Sequence, residues 1–134
     1  MIFLDTSAIY ALADEADPNH HRAKRLLQLA LEADEELLAH NYILAESAAL
    51  LQNRLGFDPA LRFLHESESF HIHWLTHLDH KKGVALWSKR RRRGLSLVDC
   101  VSFVVMRGQR VKKALAFDAD FEREGFQVYK GATN

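Results

Sequence analysis

Cysteine occurs once in 134 residues, at Cys100, which excludes an intrachain disulfide and fits a protein kept in a reducing interior. Long apolar runs are missing as well, since none approaches the roughly 20 residues needed to span a bilayer. The opening Met-Ile-Phe-Leu-Asp carries no basic stretch and meets an acid at Asp5, so no secretion signal is expected. There is no internal repeat, no low-complexity tract and no linker rich in proline, glycine and serine. The expectation is a single domain over residues 1–134, located in the cytoplasm. Its 48% hydrophobic and 27% charged content is the make-up of a globular chain large enough to bury a core.

Net charge is also absent: 18 Lys and Arg balance 18 Asp and Glu, which argues against a generic nucleic-acid binder. The distribution is uneven, however. The first eighty residues hold thirteen acids and five bases, whereas Lys81 to Lys113 holds eleven bases and one acid, Asp99. Phosphate attraction needs a local patch rather than a basic average, and this third of the chain supplies one. Lys89, Arg90, Arg91, Arg92 and Arg93 form its densest part. The run also has a plain reading as a solvated helix end, where cations favour the negative pole of the dipole.

What is present alternates between strand and helix patterns. Ile2 to Leu4 is a short apolar run ending in Asp5, the pattern of a buried strand. Thr6-Ser7 is placed to cap a helix. Ala23, Leu26, Leu27, Ala30 and Leu31 recur at helical spacing, Glu36 to Ala39 reads as a second strand, and Asn41 as the N-cap of a helix ending near Gly56. Asp58-Pro59 opens another helix, proline being favoured at the first position. Phe70 to Leu75 alternates like a strand, and a helix follows from about Asp79. Ser96 caps the next helix, Ala114 to Phe117 is a buried strand leading to Asp118, and a short helix precedes a last strand at Gln127 to Tyr129. This order implies a parallel sheet with helices on both faces, in which ligands bind beyond the carboxyl ends of the strands. Asp5 and Asp118 stand at such ends.

Each acid has an ordinary structural use. Asp5 can mark where a strand leaves the core, Asp99 can close a capping box with Ser96, Asp118 can cap the last helix, and Glu46 can be a solvated helix residue. Glu46 and Asp99, though, lie in apolar frames, Ile43-Leu44-Ala45-Glu46-Ser47-Ala48 and Leu97-Val98-Asp99-Cys100-Val101. An ionised carboxylate there is costly unless it is paired or bound to a cation. Converging carboxylates raise one another's pKa, and a hard divalent cation, Mg²⁺ or Mn²⁺, resolves the conflict.

Four segments carry a resemblance. Ile2-Phe-Leu-Asp5-Thr6-Ser7-Ala8 resembles the opening motif of PIN domains, and Asn41-Tyr-Ile-Leu-Ala-Glu46 the segment with their second acid. Gly94-Leu-Ser96-Leu-Val-Asp99-Cys-Val-Ser-Phe is similar to their third motif, and Leu115-Ala-Phe-Asp118-Ala-Asp120-Phe to their fourth. Order and separation fit across essentially the whole chain. The resemblance implies a Rossmann-like α/β/α sandwich and an endoribonuclease dependent on Mg²⁺ or Mn²⁺, in which activated water attacks RNA phosphate and leaves a 5′-phosphate and a 3′-hydroxyl. It implies a VapC-type toxin, held by a VapB-type antitoxin and often homodimeric. Asp5, Glu46, Asp99 and Asp118 would be the carboxylates, Thr6 or Ser7 would support the first, Ser96 would order the site, and Asp120 would be auxiliary.

Other readings fit less well. His71 with His73, and His77 with His80, share faces, but no cysteine or third ligand completes a zinc site. Cys100, Trp74 and Trp87 read as packed residues. A haloacid-dehalogenase-like phosphatase needs Asp-x-Asp where this chain has Asp5-Thr6-Ser7, and a receiver domain needs a lysine that Phe117-Asp118 lacks. A catalytically silent PIN-like module that binds RNA or acts as a scaffold is the alternative to an enzyme.

Overall fold

The computed structural model describes residues 1–131. The elements are β1 (Ile2–Leu4), α1 (Thr6–Ala13), α2 (His20–Glu32), β2 (Leu37–His40), α3 (Asn41–Leu55), α4 (Phe57–Glu66), β3 (His71–His73), α5 (His77–Arg90), α6 (Leu97–Gly108), β4 (Lys113–Leu115), α7 (Asp120–Arg123) and β5 (Gln127–Val128). The strands form one sheet in the order β3-β2-β1-β4-β5, and every pair is parallel. Ile2, Phe3, Leu4, Leu38, Ala39, Ala114 and Leu115 are wholly out of solvent. Central strands covered on both faces read as continuous apolar runs, which is why these segments were legible.

The order of the strands locates the crevice. From β1 the chain moves outward to β2 and β3, then returns past β1 to lay down β4. Right-handed crossovers therefore put α1 to α4 on one face and α5 with α6 on the other. The direction reverses between β1 and β4, and ligands of open α/β sheets bind at such a point. The backbone N–H of Asp5 donates to the carbonyl of Leu115 at 3.1 Å, so Asp5 stands at this junction.

Packing ties the two faces to the sheet. Phe121 meets Phe103 edge-on at 5.1 Å and Phe3 at 5.9 Å, joining α7, α6 and β1. A β-carbon at Gly83 of α5 would lie 2.4 Å from Cγ2 of Val101, so α5 and α6 cross where only glycine fits.

Several boundaries differ from the sequence expectation. Asp5, not Thr6 or Ser7, caps α1. His40 rather than Asn41 caps α3, its Nδ1 accepting from the N–H of Ile43 at 3.2 Å, because the Asn41 side chain accepts from Leu75 across the sheet edge. Pro59 is the third residue of α4, behind Phe57 and Asp58. α5 begins at His77, where Thr76 and Asp79 form a capping box. The expected strand over 114–117 is shifted to Lys113–Leu115, and the last strand stops at Val128. Among the described residues no helix is long and apolar enough to cross a membrane.

Candidate active site

The carboxyl end of β1 delivers Asp5 into the switch-point crevice with only 3% of its surface exposed. Its Oδ2 accepts the backbone N–H of Ser7 at 3.2 Å and the Ser7 hydroxyl at 2.7 Å. Ser7 in turn accepts the N–H of Phe117 at 3.0 Å, so one hydroxyl clamps the first turn of α1 to the segment that follows β4. That segment presents Asp118, whose Oδ1 accepts the N–H of Asp120 at 3.1 Å.

Burial pushes the Asp5 carboxyl up to about 7, against the pull of the Ser7 hydrogen bonds, and the negative charges of Asp118 and Asp99 push the same way. Burial likewise raises Asp118, with repulsion from Asp120, while a hydrogen bond from Asp5 holds its charge. Asp99 is also raised, by burial and by Asp118 and Asp120, against its bonds to Ser96. Water is withheld from these groups and their charges conflict.

Ser96 and Asp99 form the capping box expected from their spacing: Ser96 Oγ accepts from the Asp99 N–H and Asp99 Oδ2 from the Ser96 N–H, both at 3.0 Å. This structural use of Asp99 does not remove it from the cluster, since its charge is felt by Asp5. Asp120 borders the cluster and pairs with Arg92 at 3.4 Å and Arg123 at 3.5 Å.

Glu46 stands apart. It is half-exposed on α3, and it is not among the charges acting on Asp5, Asp99 or Asp118. The adjacent Ser47 is fully buried and donates to the Thr6 hydroxyl at 3.1 Å, which docks the Glu46 turn beside α1. Sequence reasoning missed Ser47, although its place next to an acid in an apolar helix was visible.

The histidines have structural uses. His40 is fully buried, and burial lowers it to about 3. With Nδ1 accepting from Ile43, its Nε2–H donates to Ser102 at 2.9 Å, and Ser102 donates to the Val98 carbonyl at 2.9 Å. The chain of bonds runs from the cap of α3 to the residue before Asp99. His73 pairs with Asp79 at 2.8 Å and accepts from Gln109 at 3.0 Å, and His80 meets the Tyr42 hydroxyl at 2.7 Å. His71 and His77 are exposed.

The basic run divides. Arg90 is bound to Glu124 and Arg92 to Asp120, while Lys89, Arg91 and Arg93 are exposed. Of the two tryptophans read as packed, Trp74 is 68% and Trp87 45% exposed, although the Trp87 indole donates to the Leu95 carbonyl. Cys100 is buried as expected.

Among the described residues no three His, Cys, Asp or Glu side chains enclose a ready-made metal cage. The donor chemistry nevertheless fits a hard dication, because the carboxylates offer only oxygen and their mutual repulsion is what a cation would offset. A large cavity lies elsewhere. It has about 1170 Å³ and is lined by Leu27 and Leu31 of α2 and Phe63 of α4, among others, with none of the four candidate acids.

Comparison with known proteins gives this arrangement a setting. The PIN domain family matches residues 2–126. The 23S rRNA-specific endonuclease VapC20 of Mycobacterium tuberculosis, from strains CDC 1551 and H37Rv, is 32% identical over 132 residues, covering 94% of this chain and 95% of the relative. The crystal structure of that VapC20, described as a Sarcin-Ricin loop cleaving toxin, superposes with a TM-score of 0.83 at 31% identity, covering 94% of this chain and 96% of that one.

Proposed function

The chain belongs to the PIN-domain family and is an endoribonuclease of the VapC type, and we propose that it cuts RNA in the Asp5–Asp118 crevice with the help of Mg²⁺ or Mn²⁺. The observation that carries this reading is the convergence of buried Asp5 with half-buried Asp118 and Asp99 at the switch point, where the two neighbouring charges push the Asp5 carboxyl up. Asp5, Asp99 and Asp118 would hold the cation, with Glu46 approaching from α3. A cation there would lower the pKa of a bound water and offset charge on the phosphodiester. The protein's own contribution is positional. Ser7 fixes Oδ2 of Asp5 through its N–H and its hydroxyl. Ser96 fixes Asp99 on the first turn of α6, and Thr6 is held by Ser47. Asp120 borders the cluster as an auxiliary acid. The exposed cations Lys89, Arg91 and Arg93 supply attraction for the RNA backbone, which positions a substrate without reading its sequence.

The name of the relative makes large-subunit rRNA the first substrate to test. A VapB-type antitoxin and a second copy of the chain are the proposed partners, in the cytoplasm. Phe57, Leu61 and Leu64 support this, since they leave an apolar stripe exposed along α4 of the kind that marks interaction surfaces.

The test is incubation of the purified chain with 23S rRNA, with and without Mn²⁺ or Mg²⁺, mapping of the ends, and repetition with Asp5→Asn. The expected result is metal-dependent cleavage leaving 5′-phosphate ends, abolished in the variant. Cleavage that needs no metal and survives Asp5→Asn overturns the reading, and binding without cleavage favours the silent module.

A further inference from the structure

The five cations from Lys89 to Arg93 are not equivalent. Arg90 is committed to structure: its Nε and Nη2 reach both oxygens of Glu124 at 2.7 and 3.2 Å, and Arg107 of α6 reaches the same carboxylate at 3.0 Å. The Glu124 side chain is only 3% exposed, so this clamp fastens the end of α5 to the end of α7 and α6. Arg91 then turns the chain through a left-handed conformation, φ 50°. Arg92 comes next, and it is held differently. A single contact of 3.4 Å joins its Nη2 to Asp120 Oδ1, and its side chain is 36% exposed. Asp120 itself stands one hydrogen bond from Asp118, through its N–H at 3.1 Å.

We propose that Arg92 is the phosphate-gripping residue of the site, leaving Asp120 to close on a backbone phosphate of RNA laid across the Asp5–Asp118 crevice. The inference rests on the ribonuclease reading and assigns one residue within it. Two comparisons carry it. A partly exposed ion pair with one long contact contributes little and costs little to break, whereas a guanidinium meets a phosphate through two parallel charge-assisted bonds. Arg90 does not change partners as cheaply, because its departure takes two bonds from a buried carboxylate and leaves it Arg107 alone. Arg123 also touches Asp120, at 3.5 Å, but from the next turn of its own helix and with its side chain 61% exposed, so it serves as the comparator. Glu124 thus acts as the anchor that aims Arg92.

The test uses the full chain carrying Asp5→Asn, so that RNA is bound and not cut, and a labelled rRNA stem-loop as probe. Binding is followed by anisotropy across a salt series. Arg92→Gln is expected to weaken binding about fivefold and to lower the slope of log Kd against log salt by about 0.8, the loss of one phosphate contact. Arg92→Lys keeps the slope and recovers part of the affinity. Arg123→Gln and the distant Arg25→Gln on α2 change neither by as much. In the chain with Asp5 restored, Arg92→Gln lowers kcat/KM for the same stem-loop. Equal losses for Arg92→Gln, Arg123→Gln and Arg25→Gln mean diffuse attraction only and overturn the assignment. So does unchanged binding by Arg92→Gln, whether or not its Tm falls. If the unmodified chain cuts no RNA with Mn²⁺ while the Arg92 slope change persists, the nuclease reading fails and the Arg92 assignment stands.

Discussion

Ser7 donates its hydroxyl proton to Asp5 at 2.7 Å, and this bond opposes the burial that pushes the carboxylate toward neutrality. The same oxygen accepts the N–H of Phe117, so Ser7 both charges Asp5 and ties β1 to the Asp118 segment. Ser7→Ala removes both bonds. Supporting groups of this kind are worth about 10- to 100-fold in activity or metal affinity, and the loss in stability should be about 1–2 kcal/mol. Without the hydroxyl the Asp5 pKa moves further above 7, so the acid limb of the rate profile shifts to higher pH. Steady-state cleavage across pH checks this, and Ser7→Thr, which keeps the hydroxyl, should recover part of the rate.

Asp5 makes a second prediction, about the metal-free protein. Its folded pKa of about 7 lies above the unfolded value of 3.8. Between these values the folded state binds more protons than the unfolded state, so stability falls as pH rises from about 4 to about 7. Asp5→Asn removes the buried charge and its repulsion with Asp118 and Asp99. The variant should therefore melt at a higher temperature than the parent chain at pH 8, with the gap closing at pH 5. Added Mn²⁺ should raise the Tm of the parent at pH 8 and affect Asp5→Asn less, which calorimetry with and without EDTA would measure.

His40 works in the opposite sense over the same range. Its folded value of about 3 lies below the unfolded 6.5, so the unfolded state binds more protons and stability rises with pH between about 3 and 6.5. In the metal-free parent the slopes of Asp5 and His40 oppose one another, and Tm should change little between pH 4.5 and pH 6.5. In Asp5→Asn the His40 slope is left uncovered, and Tm should climb steeply with pH across that window. His40→Ala should cost about 2–4 kcal/mol, since it leaves a cavity in the core and removes both the donor to Ser102 and the acceptor that caps α3. A flat Asp5→Asn profile would reject this account of His40.

Much of this was legible because the relevant signals are local. The apolar runs at Ile2 to Leu4 and before Asp118, each ending in an acid, announce buried parallel strands with carboxylates at their ends, and Ser96 to Asp99 announces its own capping box. What was not legible depends on partners far along the chain. Asn41 looked like a cap, but its side chain is taken by Leu75, 34 positions on, and the preceding His40 takes over. The basic run looked uniform because Glu124, which captures Arg90, also lies 34 positions away. Glu46 shows the converse. Its apolar frame suggested burial with the other acids, yet the half-exposed face of α3 carries it and Ser47 takes the buried place.

Gly83 and Gly108 should respond in opposite directions to the same substitution. At Gly83 an added methyl meets Val101 Cγ2 at 2.4 Å and Val101 Cα at 3.3 Å. Rotating the valine side chain relieves only the first contact, so α5 must move away from α6. Overpacking of this kind costs roughly 1–3 kcal/mol. Val101 lies two residues beyond Asp99 on α6, so Gly83→Ala should also lower cleavage at temperatures where the chain is still folded. Gly108 ends the same helix, has no neighbour within 4 Å of its added carbon and keeps a negative φ. Gly108→Ala should therefore stabilise by about 0.4–1 kcal/mol through the unfolded chain and leave cleavage unchanged. Urea denaturation of both variants, read beside their RNA cleavage, separates a helix crossing that positions Asp99 from a simple change in backbone freedom.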